Sequence, residues 1–142
     1  MTNPDDATIR RILTETRSVA VVGWSPNPDR PSHGVADFLL RRGMRMIPVN
    51  PGQAGQTYGA EVIRAGLGEL AGETVEMVDI FRQPAAVPEI VDAVLAHLPS
   101  VKVIWMQLGV IHPEAAARAR AAGITVVQDR CPKIEARRLG LA

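Results

Sequence analysis

Five short apolar runs, interleaved with segments patterned as helices, constrain this chain more than any other feature. Ser18-Val19-Ala20-Val21-Val22-Gly23 is nearly all apolar and ends in glycine, the pattern of a strand buried on both faces. Residues 44–49, 75–80, 101–106 and 124–127 repeat the theme. Between them lie helical stretches. Residues 4–16 place Ile9, Ile12, Leu13 and Thr16 on one face, with Asn3 as the expected cap and Pro4 in the first turn. Ser32 is the expected cap of a helix that turns Val35, Phe38 and Leu39 inward and stops at Gly43. A third helix opens around Pro84 to Pro88, with Val87, Ile90, Val91, Val94, Leu95 and Leu98 as its apolar face. A fourth starts at Pro113 and closes at Gly123. Residues 52–72 read as a glycine-rich loop with one small element near Glu61-Val62-Ile63.

Strands alternating with helices predict right-handed βαβ crossovers and a parallel sheet covered on both faces. The expectation is an α/β, Rossmann-like five-stranded sheet ordered 3-2-1-4-5, chosen over the flavodoxin-like order, forming one domain over residues 1–142. Two Trp, one Tyr and two Phe leave the core to aliphatic side chains, which suits such a sheet. Sixteen basic against fifteen acidic side chains give no electrostatic footprint for nucleic acid or a membrane surface. No apolar run approaches the roughly 18 residues of a membrane-spanning helix. The acidic start, Met1-Thr2-Asn3-Pro4-Asp5-Asp6, does not read as a secretory signal, and the single Cys131 excludes an intrachain disulfide framework. These features together point to the cytoplasm.

Ligands of such sheets sit beyond the carboxyl ends of the strands, where the winding reverses. In the order 3-2-1-4-5 that point lies between the first and fourth strands, so loops 23–32 and 106–113 face each other, flanked by 50–53 and 81–84. The first loop keeps only Gly23 of the three-glycine dinucleotide fingerprint. Ser25, Asn27, Ser32 and Arg30 still offer donors to an anion, although a stiff proline-rich turn explains the same residues. Asn50 stands where nicotinamide-binding sheets place an acid, and Asn50-Pro51-Gly52 also suits a plain turn. Phe81 and Arg82 fit a base beside a phosphate or ribose, or a core-edge ring and a solvated arginine. Met106-Gln107-Leu108-Gly109-Val110-Ile111 is apolar for a loop. It suits a slot for an extended uncharged ligand or a face covered by a neighbouring subunit, and the two are compatible. His33, His97 and His112 are scattered, with no metal-ligand spacing, and no residue stands out as catalytic acid, base or nucleophile. Cys131 follows the fifth strand at the same rim. Arg130 and Lys133 beside it would favour a reactive thiolate, whereas a buried inert thiol is the plainer reading.

Taken in order, Val19-Ala20-Val21-Val22-Gly23 with Ser25-Pro26-Asn27-Pro28-Asp29-Arg30-Pro31-Ser32, Ile47-Pro48-Val49-Asn50-Pro51, Val78-Asp79-Ile80-Phe81-Arg82, Val103-Ile104-Trp105-Met106-Gln107-Leu108-Gly109-Val110 and Asp129-Arg130-Cys131 resemble the small stand-alone CoA-binding proteins. That family is similar to the CoA-binding domain of the succinyl-CoA synthetase alpha subunit. The resemblance implies a Rossmann-like fold that holds CoA or an acyl-CoA. It implies phosphates against Gly23, Ser25, Arg30 and Ser32, and adenosine at Asn50, Phe81 and Arg82 with Val87 behind. The pantetheine arm would run along Met106, Gln107 and Gly109. Trp24 is bulkier than expected after the glycine, which would narrow the phosphate end. The resemblance supplies no reaction, and His112 is not carried over as a phosphorylated histidine. Three classes stand open: a non-catalytic CoA-binding carrier, sensor or regulatory module, with a protein partner or a second copy as an open addition; a small NAD(P)-linked oxidoreductase or CoA-dependent transferase; and an interaction protein with a vestigial crevice.

Overall fold

A computed structural model describes residues 3–142; Met1 and Thr2, part of the acidic start, lie outside the described residues. The five runs form the strands β1 (Ser18–Val22), β2 (Arg45–Val49), β5 (Met77–Ile80), β6 (Val103–Met106) and β7 (Thr125–Val127) of one parallel sheet. Helices cover both faces, as their patterns predict. On one side α3 (Val87–His97) and α4 (Pro113–Ala121) bury Ala20, Val22, Val78, Ile80 and Ile104. On the other, α1 (Asp6–Glu15), α2 (Pro31–Arg41) and α5 (Pro132–Arg138) bury Val19, Val21, Met77 and Trp105. The strands are apolar on both sides because each side meets helices.

The strand order differs from the expected 3-2-1-4-5. It runs β2-β1-β5-β6-β7, so the third of the five runs pairs with β1 rather than lying outside β2. The reason is legible in β2. Its Pro48 has no amide to give a second neighbour, and proline is confined to sheet edges. The outer edge is then closed locally. The stretch after β2 carries a small hairpin, β3 (Thr57–Tyr58) and β4 (Glu61–Val62), and brings Arg64 alongside Val49. The Arg64 amide donates to the Pro48 carbonyl, and Arg45 pairs with Glu61 and Glu73 across the exposed end. An edge covered in this way offers no template for another strand. The winding therefore reverses between β1 and β5. That sets the 23–32 loop opposite the 81–84 loop and moves 106–113 one strand farther out.

Several local readings also shift. Asp5, not Asn3, caps α1, accepting from the Thr8 amide, while Asn3 exchanges hydrogen bonds with the backbone of Gln128. Helix α2 begins at Pro31, so Ser32 lies inside its first turn and caps nothing. Leu95, expected inward, is 46% exposed. Helix α5 was not anticipated at all.

One polar group lies in the middle of this sheet. Asp79 of β5 is fully buried, and burial pushes its carboxyl well above the usual range. Its partner is Gln107, whose side-chain amide reaches Oδ1 at 2.9 Å and Oδ2 at 3.2 Å. An acid whose folded pKa exceeds its unfolded one keeps a proton that the unfolded chain releases. Stability is then greatest below the unfolded value and declines as pH rises toward the folded one. Asp79→Asn is expected to flatten that decline and to raise stability near neutral pH by about 1–3 kcal/mol. Urea unfolding on both sides of neutrality measures it; an unchanged pH slope would mean that Asp79 ionises freely inside the sheet.

Candidate functional site

Gly23 is the pivot of the carboxyl-end rim. It holds a left-handed φ of +85°, and a Cβ there would come within 2.5 Å of the Phe81 carbonyl oxygen. Only glycine lets the two loops at the winding reversal touch at this point. The Gly23 and Trp24 amides both donate to the Val49 carbonyl at 3.1 and 3.3 Å, so neither is free for a ligand. Asn50 completes the staple. Its Nδ2 donates to the Trp24 carbonyl at 2.8 Å and its Oδ1 accepts from the Gly52 amide at 2.8 Å. The residue that stands where an acid could read a ribose instead joins two loops.

The proline-rich loop is folded by its own side chains. Ser25 Oγ accepts from the Asn27 amide, Asn27 Oδ1 accepts from the Asp29 amide, and the Arg30 amide donates to the Asn27 carbonyl. This delivers Pro31 into the first turn of α2, where a missing amide costs nothing. The amides of Ser25 and Ser32 have no partner among the described residues, and the Ser25 hydroxyl keeps its proton to donate. The Trp24 carbonyl is drawn toward Asn50, so the Ser25 N–H of the same planar peptide points the opposite way.

Two hollows meet at Gly23 and Asn50. One, of about 330 Å³, is lined by Ser25, Arg30, Ser32 and Phe81. The other, of about 580 Å³, lies within the ordinary size of a small-molecule site and is walled by Gly66, Arg82, Glu89 and Ile90. Arg30 and Arg82 are exposed, and the ion pairs among the described residues use other cations. Seven of the residues singled out in the sequence are thus brought together: Gly23, Ser25, Arg30, Ser32, Asn50, Phe81 and Arg82. The others stand apart. Val87 and Met106 are fully buried in the core, and Gln107 turns to Asp79. Gly109, at φ +79°, donates its amide to Asp129 Oδ1 and lines neither hollow.

The Trp24 ring, 2% exposed, packs on His33 and Tyr58 with its indole nitrogen unpartnered. Cys131 is buried before the first turn of α5, and His112 caps α4 by accepting from the Ala115 amide. Among the described residues no three His, Cys, Asp or Glu side chains gather as a metal site would need. Glu89 and the 65–67 segment went unseen in the sequence. With the strand order corrected, Glu89 falls on the first turn of the helix behind the 81–84 loop, which was the available signal.

A family model described as "CoA binding domain" matches residues 17–137. An uncharacterized protein of Bacillus subtilis, YneT, is 34% identical over 134 residues, covering 94% of this chain and 96% of that one. A Thermus thermophilus structure described as cell-free ID.343 superimposes with a TM-score of 0.87 at 36% identity, covering 96% of this chain and 99% of that one. A hypothetical protein from Pyrococcus horikoshii gives a TM-score of 0.86 at 32% identity, with 96% and 92% covered.

The Gly23–Phe81 contact is open to direct test. Gly23→Ala adds a Cβ against immovable backbone and is expected to cost about 2–4 kcal/mol in chemical denaturation. Gly109→Ala shares the positive φ with nothing within 4 Å, and is expected to cost only about 1 kcal/mol. Equal losses in the two variants would show that crowding at Phe81 contributes nothing.

Proposed function

This chain belongs to the CoA binding domain family, and we propose that it holds CoA or an acyl-CoA across the carboxyl ends of its strands, as a carrier, sensor or regulatory module. The observation that carries this reading is the convergence of unused donors on two joined hollows. The free amides and hydroxyls of Ser25 and Ser32, with Arg30, suit a diphosphate, since a helix N-terminus and a guanidinium both favour an anion. The larger hollow suits the nucleoside. There Arg82 faces phosphate or ribose oxygens, and Glu89 accepts from a hydroxyl or exocyclic amine. The pantetheine arm then leaves past Phe81 along the rim toward Gln107 and Gly109, meeting backbone rather than the buried side chain of Met106.

CoA supplies a thiol that carries an acyl group. The chain's own part in this reading is to bind and orient it. Asn50 argues against the nicotinamide alternative twice, since it is no acid and both ends of its amide are engaged.

A ligand that binds only the folded state raises the melting temperature with its affinity. CoA is expected to stabilise the protein more than NAD at equal concentration; equal or greater stabilisation by NAD would remove the CoA reading. Arg30→Ala and Arg82→Ala should each weaken CoA binding roughly tenfold, with a further loss as salt is added. Full affinity in both variants would mean that backbone amides alone hold the phosphates.

A further inference from the structure

Behind the phosphate-side loop stands a polar cluster that CoA binding leaves unexplained. His33, in the first turn of α2, sets Nδ1 2.8 Å from the Ser25 carbonyl oxygen. Tyr58 reaches across from β3 and donates to Asp37 Oδ1 at 2.6 Å, a bond that pushes its pKa up to about 12. With its one proton engaged there, the Tyr58 hydroxyl turns only lone pairs to His33 Nε2, 3.3 Å away. Asp37 Oδ2 stands 3.5 Å from the same nitrogen. Facing a carbonyl oxygen, Nδ1 carries a proton and donates it to Ser25.

The charged and titratable groups around the ring are Asp37 on its own helix and Tyr58 from the hairpin, with Arg41 acting on Tyr58 from beyond. The Trp24 ring packs at 5.7 Å and carries no charge.

We propose that His33 is a positioning residue for the phosphate-holding loop, a ring that draws the Ser25 carbonyl back to α2. The Trp24 and Ser25 carbonyls, the two that follow the Gly23 pivot, are then both withdrawn, one by Asn50 and one by His33. An approaching phosphate meets the Ser25 amide with these two carbonyls turned away. The proposal rests on the reading of this loop as the seat of a CoA diphosphate.

Dephospho-CoA is the probe, because it keeps the diphosphate and lacks the phosphate monoester of CoA. Calorimetric titration of the full chain reads the affinity. His33→Asn keeps an amide donor for the Ser25 carbonyl and should bind within about twofold of the parent. His33→Leu should bind roughly tenfold more weakly than His33→Asn. Independently of any variant, imidazole nitrogen shifts of the parent protein should show a proton on Nδ1 of His33. Equal affinities of His33→Leu and His33→Asn, or an Nδ1 without a proton, overturn the proposal. Parent binding that is undiminished in His33→Leu removes this inference alone; parent binding of neither CoA nor dephospho-CoA removes the CoA reading with it.

Discussion

The carbonyl of Val49 accepts two amides, those of Gly23 and Trp24, and everything at the carboxyl-end rim depends on that junction. It ties the turn after β1 to the end of β2, while the missing side chain of Gly23 lets the same turn rest on Phe81 after β5. Three adjacent strands are thereby joined at the reversal of the winding. The stretch that follows is then folded by Ser25 and Asn27, held by Asn50 and His33, and handed into α2 by Pro31.

The electrostatic character of the rim follows from the same contacts. Amides taken up inside the junction are unavailable to a ligand, and carbonyls turned back to side-chain donors do not repel one. What faces outward is a set of donors on Ser25 and Ser32 beside two exposed arginines. Along the β2 edge, Arg45 and Arg64 are engaged by Glu61 and Glu73, so that these cations hold the sheet together and do not compete for anions. A chain with a formal net charge of only +1 thus gathers a local set of donors at this rim.

Much of this was legible in the residues. Apolar runs buried on both faces announced the parallel strands, and Pro84 and Pro113 marked where helices begin, because a first turn does not need the missing amide. The strand order was misread although Pro48 carried the answer, since an interior strand needs its amides on both sides. Arg30, Arg82, Ser25 and Ser32 stood out as donor types in rim loops. Which of them lack partners was not visible, because that depends on ion pairs closed by residues distant in sequence. Asn50 was noticed as the absence of an acid, while its role as a staple depends on where Trp24 turns its carbonyl. Tyr58 lay in a glycine-rich stretch with no periodicity, and its link to Asp37 and His33 exists only because the hairpin folds back over α2. Buried Met106 and Val87 show the limit of assigning contacts by loop position: both lie near the rim, yet their side chains face the core.

The central claim is that the free amides of Ser25 and Ser32 receive the phosphates while those of Gly23 and Trp24 stay bonded to Val49. Amide proton and nitrogen shifts followed during a CoA titration test it residue by residue. The account predicts large downfield proton shifts at Ser25 and Ser32, with Gly23 and Trp24 showing only small changes. Saturable CoA binding that leaves Ser25 and Ser32 unmoved, with its shifts elsewhere on the molecule, would contradict it.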